Sequence, residues 1–475
     1  PDKTVIGGDT IDLGGFENMV HNHQATESIT LEFEVDLDGD GLAPFPVAST
    51  YTEHVYGLDE DADRLSAVNR VTIGLKTELS QGQAVISLYR VALDGLPLTD
   101  IQVVGRDACV TDFNEEHPIF AAPDDSDDAD DLSVRAVDAW AGLQDSSGWV
   151  QLEGMPSCIP DLNGAFPLLG GSMVIPDEVE DSSSSMYEDD ANLFWIFLSR
   201  VLVRSGQALL HDLTGMCYLG PMRTVPPRGY RTPLTPDESR WACGFGAWDA
   251  MRRSSSLTER VSEYIQERLE LGYSIRRENC VPLDVDGPTM AEIRMIASRY
   301  EEYDAAHFLA NVLEPIEKLP RQPSLHLRDV INDVDVEPVD IGVGVSQVIP
   351  VVVGAIASPV DAGRCSIFAV EQPELHVHPA VQVALGDVFI EGMRSTGRLM
   401  LIETHSEHLL LRLLRRIRES GEAPTPQLTP DELSIVYVKA NESGVQMTPL
   451  DVTSEGDFDM PWPEGFFNER DPELF

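Results

Sequence analysis

The stretch Phe368–Pro379, F-A-V-E-Q-P-E-L-H-V-H-P, ends an apolar run on an acidic residue, Glu371, followed by Gln372 and a proline. A carboxylate at the C-terminal edge of a strand can hold Mg²⁺, directly or through water, and the next side chain can orient an attacking water. A second apolar run, Leu401–His405 (L-I-E-T-H), delivers His405 34 residues beyond Glu371. That separation holds one helix and a returning strand, and a histidine emerging there can contact a terminal phosphate. A third run, Asp340–Pro350 (D-I-G-V-G-V-S-Q-V-I-P), sets Gly342, Gly344, Ser346 and Gln347 at the opening of an apolar helix. Free backbone N–H groups at a helix start favour a phosphate. Taken singly, each motif also has a plain structural reading: a tight turn for the glycines, a strand-end residue for His405. His376 and His378 have the look of metal ligands, but such a site needs three or four donors and the sequence offers no firm third.

These residues need a frame. Ser366–Val370 and Arg398–Ile402 are short continuous apolar runs, suited to parallel strands buried on both faces. Pro379–Met393 between them is helical, which makes a βαβ unit. Thr404–Ser420 follows as an amphipathic helix with Leu409, Leu410, Leu413, Leu414 and Ile417 inward, and Leu433–Val438 and Gly444–Leu450 read as two final strands. Upstream, Ser28–Leu37, Arg70–Leu79 and Ala84–Leu93 alternate at period two, with Ile101–Gly105 as a further candidate, and predict antiparallel strands with one wet face. Asn192–Leu213, Ser256–Leu271 and Met290–Ile316 carry helical patterns, and Cys217–Arg223 (C-Y-L-G-P-M-R) reads as a short strand ending in a Gly-Pro turn. The acidic or Ser-rich runs Asp124–Asp131 and Asp177–Ser185 lack the spaced ligands and glycine of a calcium loop and read as solvated surface.

The chain has 475 residues, 81 acidic and 33 basic, for a net charge of −48. Length predicts two or three domain-sized units, or one with large insertions. The charge argues against a basic face for nucleic acid or an anionic membrane. Only four residues are lysine (Lys3, Lys76, Lys318, Lys439), against 29 arginines. Acid-rich, lysine-poor chains resemble proteins of organisms that keep molar salt inside the cell; the alternative is an ordinary acidic protein with acidic loops. At ~1 M salt the Debye length is roughly 3 Å, so self-repulsion is screened, and the charge argument against nucleic acid weakens with it. No run of about 18 uncharged apolar residues offers a transmembrane helix, since Leu193–Leu210 carries Arg200 and Arg204. The six cysteines lie far apart without a C-x-x-C pair, which predicts neither a zinc site nor a disulfide framework and fits a reducing cytosol.

Together and in this order, the three motifs resemble the C-terminal half of an ABC-type ATPase of the SMC/RecF/OLD-like group, nearest to bacterial and archaeal AAA-family ATPases with an uncharacterised C-terminal domain. The resemblance extends to Thr10–Val20, Tyr218–Arg223 and the tail Trp462–Phe475. It implies an α/β, ABC-ATPase-like P-loop fold with a parallel sheet, an antiparallel β lobe and helical insertions. The expected layout is an antiparallel β part of the head over 1–120, an acidic variable insertion over 121–190 and a helical lobe over 191–335. The motif core then spans 336–420, with C-terminal strands and the family tail over 421–475. In this resemblance Gly342, Gly344, Ser346 and Gln347 form the signature motif and contact ATP. Ile367–Gln372 form the Walker B strand, Glu374–Pro379 the D-loop region, and His405 is the switch histidine. Glu371 is the expected Mg²⁺ ligand, Gln372 the water-positioning residue, and Glu374 or Glu403 an assisting carboxylate. The implied cofactors are ATP and Mg²⁺, and the implied assembly is a homodimer, cytoplasmic and not in a membrane, acting as a switch on DNA, on an effector protein or in phage defence.

Two departures stand out. No G-x-x-x-x-G-K-S/T phosphate loop occurs in these residues, and the family carries it upstream of the segment matching Thr10–Val20. The expectation is that a first strand, loop and helix precede Pro1, and that residues 1–475 alone bind ATP poorly. The second is Glu371-Gln372 where an Asp-Glu pair is usual; a glutamine can position water but cannot take its proton, which predicts slow hydrolysis. Two further readings stay open: a non-catalytic ATPase remnant, and the ATPase part of an OLD-like nuclease system, for whose nuclease domain the 70 residues after His405 are too few.

Overall fold

A computed structural model of the chain describes residues 14–37, 41–42, 64–104, 107–120, 132–144, 148–151, 186–230, 232–233, 235, 237–298, 305–358, 366–420, 426–442 and 444–460. The acidic runs at 124–131 and 177–185 and the tail at 462–475 lie outside them. The chain divides into two compact units, Pro1–Thr214 with Ala440–Gln446, and Gly215–Lys439 with Met447–Phe475.

The first unit is built on a six-stranded antiparallel meander: β1 (Ser28–Asp36), β2 (Arg70–Ser80), β3 (Gln83–Leu93), β4 (Leu96–Val104), β5 (Asp107–Phe113) and β6 (Val150–Gln151), paired in chain order. Alternation dictates the buried face: Val71, Ile73, Leu75 and Thr77 of β2 point inward. On β3 the parity changes, with Ala84 and Ile86 inward and then Tyr89 and Val91. A bulge explains it: Lys76 pairs with Leu88 but Thr77 with Ile86, leaving Ser87 extra, its hydroxyl donating to the Lys76 carbonyl. Helices α1 (Leu132–Leu143) and α2 (Met186–Thr214) supply the rest of this core, where the Phe113 ring meets those of Phe120, Trp140 and Phe194 at 5.3–5.5 Å. Arg200 of α2 is buried, in keeping with a core helix. Among the described residues no helix is long and apolar enough to cross a membrane.

The second unit holds a three-stranded parallel sheet in the order β12-β11-β7, made of β7 (Met216–Leu219), β11 (Ile367–Glu371) and β12 (Leu399–Glu403). Along the chain between β7 and β11 come α3 (Phe245–Arg253), α4 (Ser255–Glu263), β8 (Tyr273–Cys280), α5 (Pro288–Ser298), α6 (Ala305–Glu317), β9 (Gln322–Asp329), β10 (Val334–Val336) and α7 (Val343–Ile356). After β11 come α8 (Pro379–Thr396) and, beyond β12, α9 (Glu407–Arg418), followed by the hairpin β13 (Ile435–Asn441) and β14 (Gly444–Leu450), of which Ala440–Gln446 is assigned to the first unit. Strands β10-β9-β8 form a separate antiparallel sheet. β11 is the central strand, with Phe368, Ala369 and Val370 buried, and α7 lies so close that a Cβ on Gly354 would overlap the Phe368 ring. α8 approaches α7 through Gly392, where a Cβ would come within 2.5 Å of the Ala355 carbonyl. Asp387 of α8 receives two hydrogen bonds from Arg416 of α9, at 2.7 Å each.

One expectation is corrected. Arg398–Ile402 does not form a strand buried on both faces: Leu399 and Leu401 of β12 are 63% and 59% exposed, because among the described residues β12 is an edge strand covered on one side. Met290–Ile316 is helical over α5 and α6, and residues 299–304 between them lie outside the described residues. Ser256–Leu271 is helical as expected, with α4 capped by the Ser254 hydroxyl accepting from Leu257 N–H and continuing as a π turn at Tyr264–Arg268.

Candidate functional site

The carboxyl ends of β11 and β12 bring two acids side by side, since Glu371 and Glu403 are register partners. Adjacent carboxylates repel unless donors or a cation stand between them. Here the donors are local. The Tyr218 hydroxyl, from the end of β7, donates to Glu371 Oε1 at 2.7 Å. Burial first, and then this hydrogen bond, pushes the Tyr218 hydroxyl up to about 12, so it stays a donor at neutral pH. Glu403 Oε2 accepts from Gln372 N–H at 3.1 Å, and Glu403 Oε1 lies 3.2 Å from His405 Nε2. The His405 side chain is 74% exposed, at the open side of this edge.

The turn after β11 is held from several directions. Gln372 adopts a left-handed backbone, φ 43°, unusual for a residue with a side chain. Its N–H also donates to the Glu403 carbonyl at 2.9 Å. Its carbonyl accepts from Arg223 Nη2, which donates to the Glu371 carbonyl as well, at 2.6 Å. Arg223 is buried, which lowers its pKa to about 10 against the pull of Glu374; it remains a cation at neutral pH. Glu374 accepts from Thr404 Oγ1 at 2.8 Å and from His405 N–H at 2.7 Å, so both of its oxygens fix the loop that presents His405. Ser406 then caps α9 by accepting from Leu409 N–H.

The start of α7 meets the same turn. A Cβ on Gly344 would come within 2.7 Å of the His376 carbonyl, so this approach requires glycine. Gly342 is the N-cap of α7, with open space where a side chain would project and no side-chain cap on the first turn. Ser346 and Gln347 point inward. The Ser346 hydroxyl donates to the Val343 carbonyl. The Gln347 carboxamide clamps the Arg223 backbone, donating to its carbonyl at 2.7 Å and accepting from its N–H at 3.2 Å. The His378 imidazole accepts from Ala380 N–H as the cap of α8.

No family model matches the chain, and no curated protein matches it. Solved structures similar to it include the following two. One, described as "Structural biochemistry of ATP-driven dimerization and DNA stimulated activation of SMC ATPases", is 10% identical, covers 43% of this chain and 89% of its own, and has a TM-score of 0.24. The other, an "SmcHead bound to the C-winged helix domain of ScpA", is 8% identical, covers 81% of this chain and 69% of its own, and has a TM-score of 0.29.

The structure thus gathers Glu371, Gln372, Glu374 and His405 around one sheet edge, and sets Gly344 against the loop that leaves it. Ligands of open α/β sheets sit outside such carboxyl ends. The donors there are carboxylate oxygens, hard ligands of the kind Mg²⁺ takes. Tyr218, Arg223 and Glu403 complete the arrangement. The first two are the ends of the run Y-L-G-P-M-R, which the sequence singled out as a stretch but without a role for either residue.

Proposed function

We propose that this chain is an ATP-binding and ATP-hydrolysing head that works as a nucleotide-driven dimeric switch. The observation that carries the reading is the pairing of Glu371 and Glu403 at the carboxyl ends of adjacent parallel strands, with His405 exposed beside them. Glu371 holds Mg²⁺, with Tyr218 fixing one of its oxygens. The metal, when bound with ATP, neutralises charge on the phosphates. Gln372 orients water, and His405 contacts the terminal phosphate. Glu374 acts as a positioning residue, because both of its oxygens hold the His405 loop. Glu403 is then the carboxylate to receive a proton from water, since both oxygens of Glu374 are engaged by the His405 loop. The exposed start of α7, through its backbone N–H groups, reaches the nucleotide of a second subunit, while Ser346 and Gln347 support that turn from inside. The switch acts on DNA, on an effector protein or in phage defence, and turnover measured with and without duplex DNA separates the first of these from the others.

The test uses protein expressed from its full reading frame. His405→Ala is expected to bind ATP as wild type does and to release no phosphate above background. Its side chain is exposed, so folding is not at stake. Unchanged turnover in this variant would reduce His405 to a strand-end residue and remove the reading.

A further inference from the structure

The sheet β10-β9-β8 carries a second group of ligating side chains that the nucleotide site does not use. Ile275 of β8 and Leu325 and Leu327 of β9 are buried in the core of the second unit. By alternation, Glu278 and Cys280 of β8 and Ser324 and His326 of β9 lie on the opposite, outer face. There a carboxylate oxygen of Glu278, the sulfur of Cys280 and a ring nitrogen of His326 all come within 4.8 Å of one another. Cys280 is a free, exposed thiol, and His326 is half-buried.

The geometry points to a binding site for a zinc-type divalent cation formed by Glu278, Cys280 and His326. Bond lengths of about 2.0–2.3 Å to oxygen, nitrogen and sulfur set neighbouring ligands of a tetrahedral ion about 3.3–3.8 Å apart. Three side chains already within 4.8 Å reach that spacing by shifts of about 1 Å, which the exposed Glu278 and Cys280 make by small rotations. The donor types choose the metal: a thiolate and an imidazole beside one carboxylate suit zinc and disfavour Mg²⁺ and Ca²⁺. A thiolate and a carboxylate together neutralise a divalent charge, and Arg276, the in-register neighbour of His326, is exposed to solvent, which screens its charge. Three protein ligands leave one corner for water or for a donor from another molecule. The strands themselves are anchored by their buried inner face, so the site rests on a fixed scaffold. No C-x-x-C spacing announces it, because its donors come from two strands paired by a long connection.

The full chain, stripped of metal by chelation, is titrated with Co²⁺ and then Zn²⁺. One Co²⁺ per chain is expected, with a thiolate-to-cobalt charge-transfer band that Zn²⁺ abolishes. Cys280→Ser and His326→Ala are each expected to weaken Zn²⁺ binding by about 100-fold or more. Cys243→Ser, at a half-buried cysteine elsewhere, is expected to bind like wild type, and unchanged thermal unfolding of the metal-free variants confirms that they fold. Absence of the charge-transfer band, or a band that survives in Cys280→Ser, overturns the assignment.

Discussion

At the residue scale, Glu371, Gln372 and His405 announce themselves as polar residues at the ends of apolar runs, and the structure sets them on one edge. Their supports do not announce themselves. Tyr218 and Arg223 meet Glu371 and Gln372 across 148 to 153 positions of sequence, and Gln347 looks like a ligand residue until its carboxamide is seen closing on the Arg223 backbone. Nothing local in a sequence encodes such a contact. Two predictions belong here. Gln372→Glu adds a carboxylate beside Glu371 and Glu403. A well-placed general base contributes ~10²–10⁴-fold, but a third like charge at this edge offsets part of that, so turnover is expected to stay within about tenfold of wild type or to rise. Steady-state phosphate release checks this; a loss beyond tenfold contradicts it. The second concerns Tyr218, whose hydroxyl is raised from 10 to about 12 in the folded chain. A group with a raised folded pKa contributes stability that is present below pH 10 and is lost as pH climbs through 12. Tyr218→Phe is therefore expected to lose less stability than wild type between pH 10 and 12, measured by chemical denaturation at each pH. Parallel curves would show that the hydroxyl contributes nothing through its proton.

At the element scale, the βαβ unit of β11, α8 and β12 follows directly from two short apolar runs around a helical one. So does the period-two pattern of β1 to β3. The sheet β10-β9-β8 was not legible, since β8 (Y-S-I-R-R-E-N-C) buries only Ile275 and β9 (Q-P-S-L-H-L-R-D) only Leu325 and Leu327. One or two inward residues per strand give too little alternation to separate strand from loop. The exposed Leu399 and Leu401 show the converse: a continuous apolar run marks a strand without saying that both faces are covered. Packing of α7 on β11 depends on Gly354, where a methyl group would overlap Phe368. Gly354→Ala improves helix propensity by about 1 kcal/mol, yet overpacking costs about 1–3 kcal/mol and is expected to win, lowering stability in urea unfolding. A stabilised variant would mean that α7 and β11 are farther apart than described.

At the scale of the whole molecule, the net charge of −48 is the dominant physical fact. Repulsion among like charges is strongest in the compact state, and few lysines are present to relieve it. Melting temperature is expected to rise steeply in KCl from about 0.1 M to 3 M, as the Debye length falls from ~10 Å to below ~3 Å, and by more than for a charge-balanced protein of equal size. A flat profile would contradict adaptation to salt. The same molecule is proposed to hydrolyse ATP at one sheet edge, and that claim rests most heavily on Glu371. Glu371→Gln keeps an acceptor for the Tyr218 hydroxyl and so keeps the local hydrogen bond, while removing the charge that would hold Mg²⁺. Steady-state phosphate release from ATP, measured for wild type and Glu371→Gln in the full-reading-frame protein with Mg²⁺ present, is the most direct test. Mg²⁺-dependent turnover in wild type and none in the variant is the predicted result; turnover retained by Glu371→Gln would contradict the assignment of this edge as the metal-holding centre.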